Sequence, residues 1–322
     1  MGQKMKIPFF KLSLGKREID EVIRVVHGGY MTQGYETRRL EEEFKAYVGA
    51  KYAIGVDSCT NGLFLSLKYN GIGAGDEVGI PSMTFASVAN VVLQCGANID
   101  WQDEIHVGFA YQLKNNRAFR VVDSAHQIDW GVYRDFSDSL MNFSFYPTKQ
   151  ISSAEGGMIC TNDHYAMEWF EKARWHGRKG GGFNYSIDFP GYKFNMTDVQ
   201  AVIARVQLEK LDRMNRQRKH VVSYYNKELG LHNESLHLYT IDMENRDEFI
   251  KFMDGRGINC SVHFYNPLHT QPAYKEFNVK DLPLTTEKAR TTVSLPLYPD
   301  MCKEEVDYVI NAIKEWNNGQ RS

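Results

Sequence analysis

The chain reads as an α/β protein with a mainly parallel sheet and a smaller second domain. Three observations carry that reading. Short strand-like segments alternate with segments of helical period through much of the sequence. The 322 residues suffice for one large domain and a smaller one, and the apolar share of 43% is ordinary for a chain with a substantial core. A long amphipathic stretch past the middle predicts a helix that bridges the two.

The elements follow in order. Ile19, Val22, Ile23 and Val26 fall at helical spacing, and Gly28-Gly29 stops that helix. Leu40, Phe44 and Val48 mark a second helix, ended by Gly49. Tyr52 to Val56 predicts a short buried strand, Asp57 to Gly62 a turn, and Leu63 to Tyr69 a helix. The glycines of Gly71 to Asp76 lead into a strand, not a helix, so they read as a plain turn rather than a phosphate loop. A strand at Val78–Pro81 and a helix at Ala86–Gln94 come next. Phe119 to Val122 predicts a strand that runs out at Asp123, and Met141–Phe145 and Gly157–Cys160 predict two more. Tyr165 to His176 reads as helix. Arg178 to Pro190, rich in glycine and polar residues, reads as a mobile or interface loop. Thr197 and Gln200 form a capping box that opens the bridging helix, expected to reach about Leu229. The remainder suggests a small α/β domain, with a strand at Leu238–Ile241 and helices at Arg246–Asp254 and Lys303–Trp316. The expected division is 1–213 and 214–322.

Composition excludes several classes of function. A net charge of -2 gives no electrostatic footprint for nucleic acid or an anionic membrane. Cys59, Cys95, Cys160, Cys260 and Cys302 are odd in number and far apart, with no CxxC pair. Neither a metal site nor a disulfide framework is expected, and a reducing cytoplasm is the natural setting. No apolar run suits a signal peptide or a membrane helix.

Three places could carry chemistry. Asp123 stands where an apolar strand ends, and ligands of open α/β sheets bind outside the carboxyl ends of strands. A carboxylate there can hold a protonated ring nitrogen, or simply cap the following turn. Ser58, Thr60 and Asn61 lie between a strand and a helix, where free N–H groups suit a phosphate or an ordinary helix cap. Lys149 follows a strand among aromatic residues. Such surroundings lower an ammonium pKa and make the amine nucleophilic toward an aldehyde, although a lysine can also reach the surface.

Taken together, the ordered segments resemble the DegT/StrS family of sugar aminotransferases, of the aspartate aminotransferase fold type. They are Gly71-Ile-Gly-Ala-Gly-Asp-Glu-Val78, Pro81-Ser-Met-Thr-Phe85, Val122-Asp-Ser-Ala-His126, Ser144-Phe-Tyr-Pro-Thr-Lys149, Glu155-Gly-Gly157 and Gly191-Tyr-Lys-Phe-Asn-Met-Thr-Asp-Val-Gln200. Pro267-Leu-His269 and Ser294-Leu-Pro-Leu-Tyr-Pro299 extend the match over nearly the whole chain. The resemblance implies the pyridoxal-phosphate-dependent transferase fold of type I, with a mostly parallel central sheet in the large domain. It implies that Lys149 forms the Schiff base with pyridoxal phosphate and that Ser144 binds the phosphate. Asp123 would pair with the pyridinium nitrogen, with His126 beside the ring and Phe85 stacked on it. The backbone at Thr60 and Asn61 would hold the phosphate, next to Ser58. Asn195 would reach the phosphate of a neighbouring subunit, so the active site of a homodimer would be shared. The implied reaction moves an amino group from an amino acid, glutamate by analogy, to a nucleotide-linked keto sugar such as a 4-keto-6-deoxyhexose, for amino-sugar and polysaccharide synthesis. Thr32, Gln33, His176, His263 and Tyr265 are candidates for sugar contacts.

The sequence departs from the family pattern between Gly96 and Val121, where a longer strand–helix–strand passage is usual. A strand or a helix is expected to be trimmed there. Other readings stay open: amination of a cyclitol, or a trimmed member kept as a binding or regulatory protein. A dehydratase of this fold carries histidine in place of the lysine, and Lys149 argues against it.

Overall fold

The computed structural model describes residues 5–116, 120–181, 184–277 and 280–319. Helix α1 (Lys16–His27) lies where the apolar spacing put it, but that spacing faces outward. Ile19, Ile23 and Val26 are 61%, 50% and 49% exposed, and the buried residues are Glu18 and Val25. Glu18 accepts hydrogen bonds from Gln207 and Lys210. Helix α2 (Tyr35–Val48) buries Leu40, Phe44 and Val48 and stops at Gly49, whose φ of 86° is the left-handed conformation glycine adopts without a Cβ clash. Strand β1 (Tyr52–Val56) feeds helix α3 (Cys59–Tyr69). This helix starts at Cys59, not at Leu63, because the Ser58 hydroxyl accepts from the Asn61 N–H and winds the expected turn into helix.

Strand β2 (Glu77–Pro81), helix α4 (Ala86–Gln94) and strand β3 (Asn98–Gln102) follow. The chain then takes a short route. Strands β4 (Tyr111–Gln112) and β5 (Lys114–Asn115) form one extended run before β6 (Val121–Asp123). No helix stands between β3 and β6 among the described residues. Beyond it come β7 (Leu140–Ser144), β8 (Gly157–Thr161) and helix α5 (His164–Ala173). Helix α5 ends short of His176 because that residue takes a left-handed φ of 61°. The expected loop at 178–190 contains a hairpin, β9 (Arg178–Gly181) with β10 (Asn184–Ile187). Helix α6 (Asp198–Leu229) opens on the Thr197–Gln200 capping box. Strand β11 (Tyr239–Asp242), helices α7 (Arg246–Gly255) and α8 (Pro283–Thr291), strand β12 (Thr292–Leu295) and helix α9 (Lys303–Gly319) complete the chain.

Strands β1, β8, β7, β6 and β4 are successive neighbours, as are β3, β2 and β5. Because β4 and β5 lie on one run, the run stitches the two groups into a single surface. β4 is antiparallel to β6 and β5 is antiparallel to β2. β2 pairs parallel with β3, and β6 with β7, while β8 opposes both β7 and β1. Strands β1, β2, β3, β6 and β7 therefore point one way, and β8 and the β4–β5 run point back. The central sheet is mostly parallel, as the sequence predicts, and the carboxyl ends of β1, β2, β6 and β7 gather at one edge.

The apolar interior forms three clusters. One surrounds α3, α4, β2 and β3. A second joins α2, β6, β7 and β8 to the first half of α6, as far as Met214. A third takes Ile7 and runs from Val221 to Ile313. Helix α6 thus changes core partway along its length. Leu268, Tyr274 and Leu282 cross back to the first cluster. Among the described residues no helix is long and apolar enough to cross a membrane.

Candidate active site

A cavity of about 510 Å³ opens at the carboxyl edge of the sheet. Ser58, Thr60, Phe85, Asp123, His126, Ser144, Lys149 and His263 line it. The fold explains their convergence. Asp123 ends β6, Ser144 ends β7, Ser58 caps α3 just past β1, and Phe85 caps α4 just past β2. Lys149 lies in the turn after β7, where its own N–H donates to the Tyr146 carbonyl at 2.9 Å.

Lys149 and Asp123 make the floor. Burial pushes the Lys149 ammonium below its ordinary range, and the charge of Asp123 pulls it partly back. Burial likewise pushes the Asp123 carboxyl up, opposed by the Ala125 N–H, by Lys149 and by the Tyr111 hydroxyl. The Ala125 N–H donates to Asp123 Oδ1 at 2.9 Å and the Tyr111 hydroxyl to Oδ2 at 3.1 Å. The Lys149 ammonium has no hydrogen-bond partner among the described residues.

One corner of the cavity is the N-terminus of α3. The Asn61 N–H is taken by the Ser58 hydroxyl at 3.1 Å, and the Gly62 N–H by the Ser58 carbonyl at 3.1 Å. The N–H groups left without a partner among the described residues are those of Cys59 and Thr60. Gly157 of β8 passes close beneath them, and a Cβ there would stand 2.5 Å from the Cys59 nitrogen. Ser144 sits opposite Gly157 in the β7–β8 ladder. A phosphate at this corner, an aldehyde at Lys149 and a ring nitrogen at Asp123 match the groups of pyridoxal phosphate, so the residues present fit it.

Three histidines face this floor: His126, His237 and His263. The His126 ring lies 4.7 Å from the His237 ring and accepts at Nδ1 from the Gly108 N–H at 3.2 Å. His263 Nδ1 lies 2.9 Å from the Ser294 hydroxyl. Burial lowers all three; His263 is held at about 4. At neutral pH they present uncharged rings. Phe9, Phe10, Phe109 and Phe264 fill much of the remaining wall.

The other expected contacts do not line this cavity. Asn195 is buried against its own chain, where its side chain accepts from Lys193 and its backbone bridges Val56. Thr32 accepts from the Asp198 N–H in the loop that Asp198 ties to α6. Gln33 lines a separate hollow with Tyr30, Tyr35, Arg38, Trp175 and Arg178. His176 donates its N–H to Tyr192 at the end of α5. Tyr265 bonds Asp247 and lies under the Arg246 guanidinium. Conversely, Tyr111 and His237 belong to the cavity and escaped the reading of the sequence. Tyr111 lies in a two-residue strand and His237 in an irregular segment, and neither shows a period that marks a face.

The fold is that of known sugar aminotransferases. The structure of S. venezuelae DesV, determined with a ketimine intermediate, superposes with a TM-score of 0.85 at 27% identity over 97% of this chain and 98% of that one. Spr1654 of Streptococcus pneumoniae, described as a sugar aminotransferase and solved in its PLP form, gives 0.86 at 25% identity over 97% and 98%. In sequence, the spore coat polysaccharide biosynthesis protein SpsC of Bacillus subtilis is 33% identical over 380 residues, 96% of each chain. Fold and site together define a pyridoxal-phosphate-dependent aminotransferase of fold type I. The chain belongs to the DegT/DnrJ/EryC1/StrS aminotransferase family, whose profile matches residues 12–104 and 135–314. The stretch between those segments, which carries Tyr111, Asp123 and His126, lies outside the match.

Proposed function

We propose that the enzyme binds pyridoxal phosphate and moves an amino group from an amino acid, L-glutamate, to a nucleotide-linked 4-keto-6-deoxyhexose, in cytoplasmic amino-sugar and polysaccharide synthesis. The observation that carries the reading is the floor: a lysine of depressed basicity and a fixed buried carboxylate beside the open N-terminus of α3. The similarity to SpsC supports a saccharide acceptor.

Pyridoxal phosphate, when bound, supplies an aldehyde that takes up the amino group and a ring that draws electrons from the reacting carbon. The residues of the chain do the rest. Lys149, as the neutral amine, would hold the aldehyde until the donor displaces it, and its Nζ would then carry the proton that leaves the donor α-carbon. Asp123 would accept the ring N–H and keep its charge beside it. Ser58, Thr60 and Ser144 would hold the phosphate, with the Asn61 N–H already taken by the Ser58 hydroxyl, and Phe85 and His126 would lie against the ring. The aromatic and uncharged histidine wall excludes water and sustains the low basicity of Lys149. Donor and acceptor take turns in one site, so the kinetics are ping-pong.

The working form in this reading is a homodimer. The outward stripe of Ile19, Ile23 and Val26 on α1 supports a second copy as its cover. Asn195, turned away from its own cavity, is assigned to the partner's phosphate. The test is direct. The purified protein should show a visible band that glutamate bleaches and a keto acid restores, and should aminate one of a panel of UDP-, GDP- and dTDP-linked 4-keto sugars. Turnover of a keto cyclitol but no nucleotide sugar would replace the acceptor. A protein that takes up no pyridoxal phosphate would overturn the reading.

A further inference from the structure

The short passage between β3 and β6 does more than close a gap in the sheet. It places Tyr111 directly opposite Asp123 in the antiparallel β4–β6 pair. Residues directly opposite in such a pair send their side chains to the same face. That face is the cavity, which both residues line. Tyr111 is 7% exposed and its hydroxyl lies 3.1 Å from Asp123 Oδ2. On its other side the same hydroxyl lies 2.7 Å from Thr84 Oγ1, and Thr84 is 6% exposed. The His106 ring stacks on the tyrosine at 5.4 Å and 20°.

A tyrosine hydroxyl has one proton, and an ionised carboxylate can only accept. Tyr111 therefore donates to Asp123, and the Thr84 hydroxyl must donate to Tyr111. The direction of the chain is fixed: Thr84 to Tyr111 to Asp123. With the Ala125 N–H on Oδ1, each carboxylate oxygen has one rigid donor and keeps a lone pair for something else. We infer that Tyr111 is a positioning residue, which with Thr84 behind it aims and keeps ionised the Asp123 carboxylate that meets the cofactor ring nitrogen. The inference rests on the pyridoxal-phosphate reading and goes beyond it. The titratable groups around Asp123 are Lys149 from the turn after β7, Cys59 from the start of α3, and Tyr111 itself. Of these, Tyr111 alone is hydrogen-bonded to it among the described residues.

The test compares Tyr111→Phe, Thr84→Val, Asp123→Asn and the Tyr111→Phe/Asp123→Asn double variant with the wild type. Thermal melts of the cofactor-free proteins check folding, and pyridoxal phosphate binding is titrated by absorbance across pH. Losing a hydrogen bond to a charged group should weaken binding about ten-fold or more in Tyr111→Phe. Less support for the anion favours the protonated carboxyl, so the acid limb of the binding profile should move to higher pH. Thr84→Val should shift both in the same direction and by less. In the double variant the tyrosine should matter no more, because it acts through Asp123. Unchanged affinity and an unmoved acid limb in Tyr111→Phe would overturn the inference. So would a loss that persists undiminished in the Asp123→Asn background, which would mark Tyr111 as packing only. If the wild type binds no pyridoxal phosphate, the functional reading falls and this inference with it. If the wild type binds and the variants match it, only the inference falls.

Discussion

The cavity has a floor and a roof, and they are built differently. The floor is made of strand ends and one helix start: Asp123, Ser144, Ser58 and the turn that carries Lys149. The roof is made of irregular chain: Phe9 and Phe10 near the N-terminus, His237 just before β11, and His263 with Phe264 between α7 and α8. The floor holds opposite charges in fixed places. The roof holds none at neutral pH, since burial keeps its histidines uncharged. The difference teaches that the two depend on each other. Uncharged rings above Lys149 exclude water, and that exclusion makes the amine a nucleophile; the ammonium in turn disfavours protonation of the rings.

The largest effect should come from the floor. In the proposed function, Lys149→Ala removes both the anchor for the aldehyde and the carrier of the proton. Amine transfer should fall by at least ~10²–10⁴-fold, the usual worth of positioned proton transfer, and the visible band that depends on the lysine should vanish. Near-normal transamination by this variant would break the distinction between floor and roof.

The floor was also the legible part. Asp123 could be found because an apolar strand announces its own end, and ligand sites of α/β sheets lie at such ends. Lys149 gained weight from Ser144 before it and from the ordered motifs around it. Helix α6 is legible to its last turn: the Thr197–Gln200 capping box fixes its start, and Gly230, left-handed at φ 68°, fixes its end. The roof offered no such handle. His237 and Phe264 sit in segments without period, and only tertiary contact brings them over the cavity. Tyr111 was hidden for a related reason: β4 is a two-residue strand, too short to show alternation. The apolar stripe of α1 marks a helix, as expected, but not the side it faces. Periodicity reveals an apolar face but not which way it points, and here the face turns from the chain's own core. Gln33 and Tyr265, expected to touch the sugar, do not line this cavity within the single chain.

A second experiment tests how the two floor charges are coupled. If Lys149 takes up the aldehyde as proposed, its neutral amine is the reactive form, and the rate of pyridoxal phosphate uptake should rise with pH and level off below the ordinary lysine range of about 10.4. Asp123 raises the Lys149 pKa by its charge. Removing that charge in Asp123→Asn should therefore move the plateau to lower pH, even while affinity for the cofactor falls about ten-fold or more from loss of the ring-nitrogen partner. Stopped-flow absorbance across pH reads both. A plateau that stays put in Asp123→Asn would show that the two groups do not sense each other.

The smallest effect should come from the roof, and it concerns stability more than turnover. His263 is held at about 4 by burial, with a further push from Lys149. An unfolded histidine takes its proton near 6.5. As pH falls through that window, the unfolded chain binds a proton that the folded chain refuses, so the folded state loses stability between about 6.5 and 4. His126 and His237 are lowered by the same cause and act with the same sign. His263→Asn keeps a neutral side chain that can still bond Ser294, and it has nothing to titrate. Its stability should match the wild type within about 1 kcal/mol at pH 7 and fall less steeply on acidification, by on the order of 1 kcal/mol at pH 5. Urea midpoints at the two pH values measure it. An acid slope identical to that of the wild type would mean that His263 is protonated and wet in the folded protein, and that the roof does not keep water from Lys149.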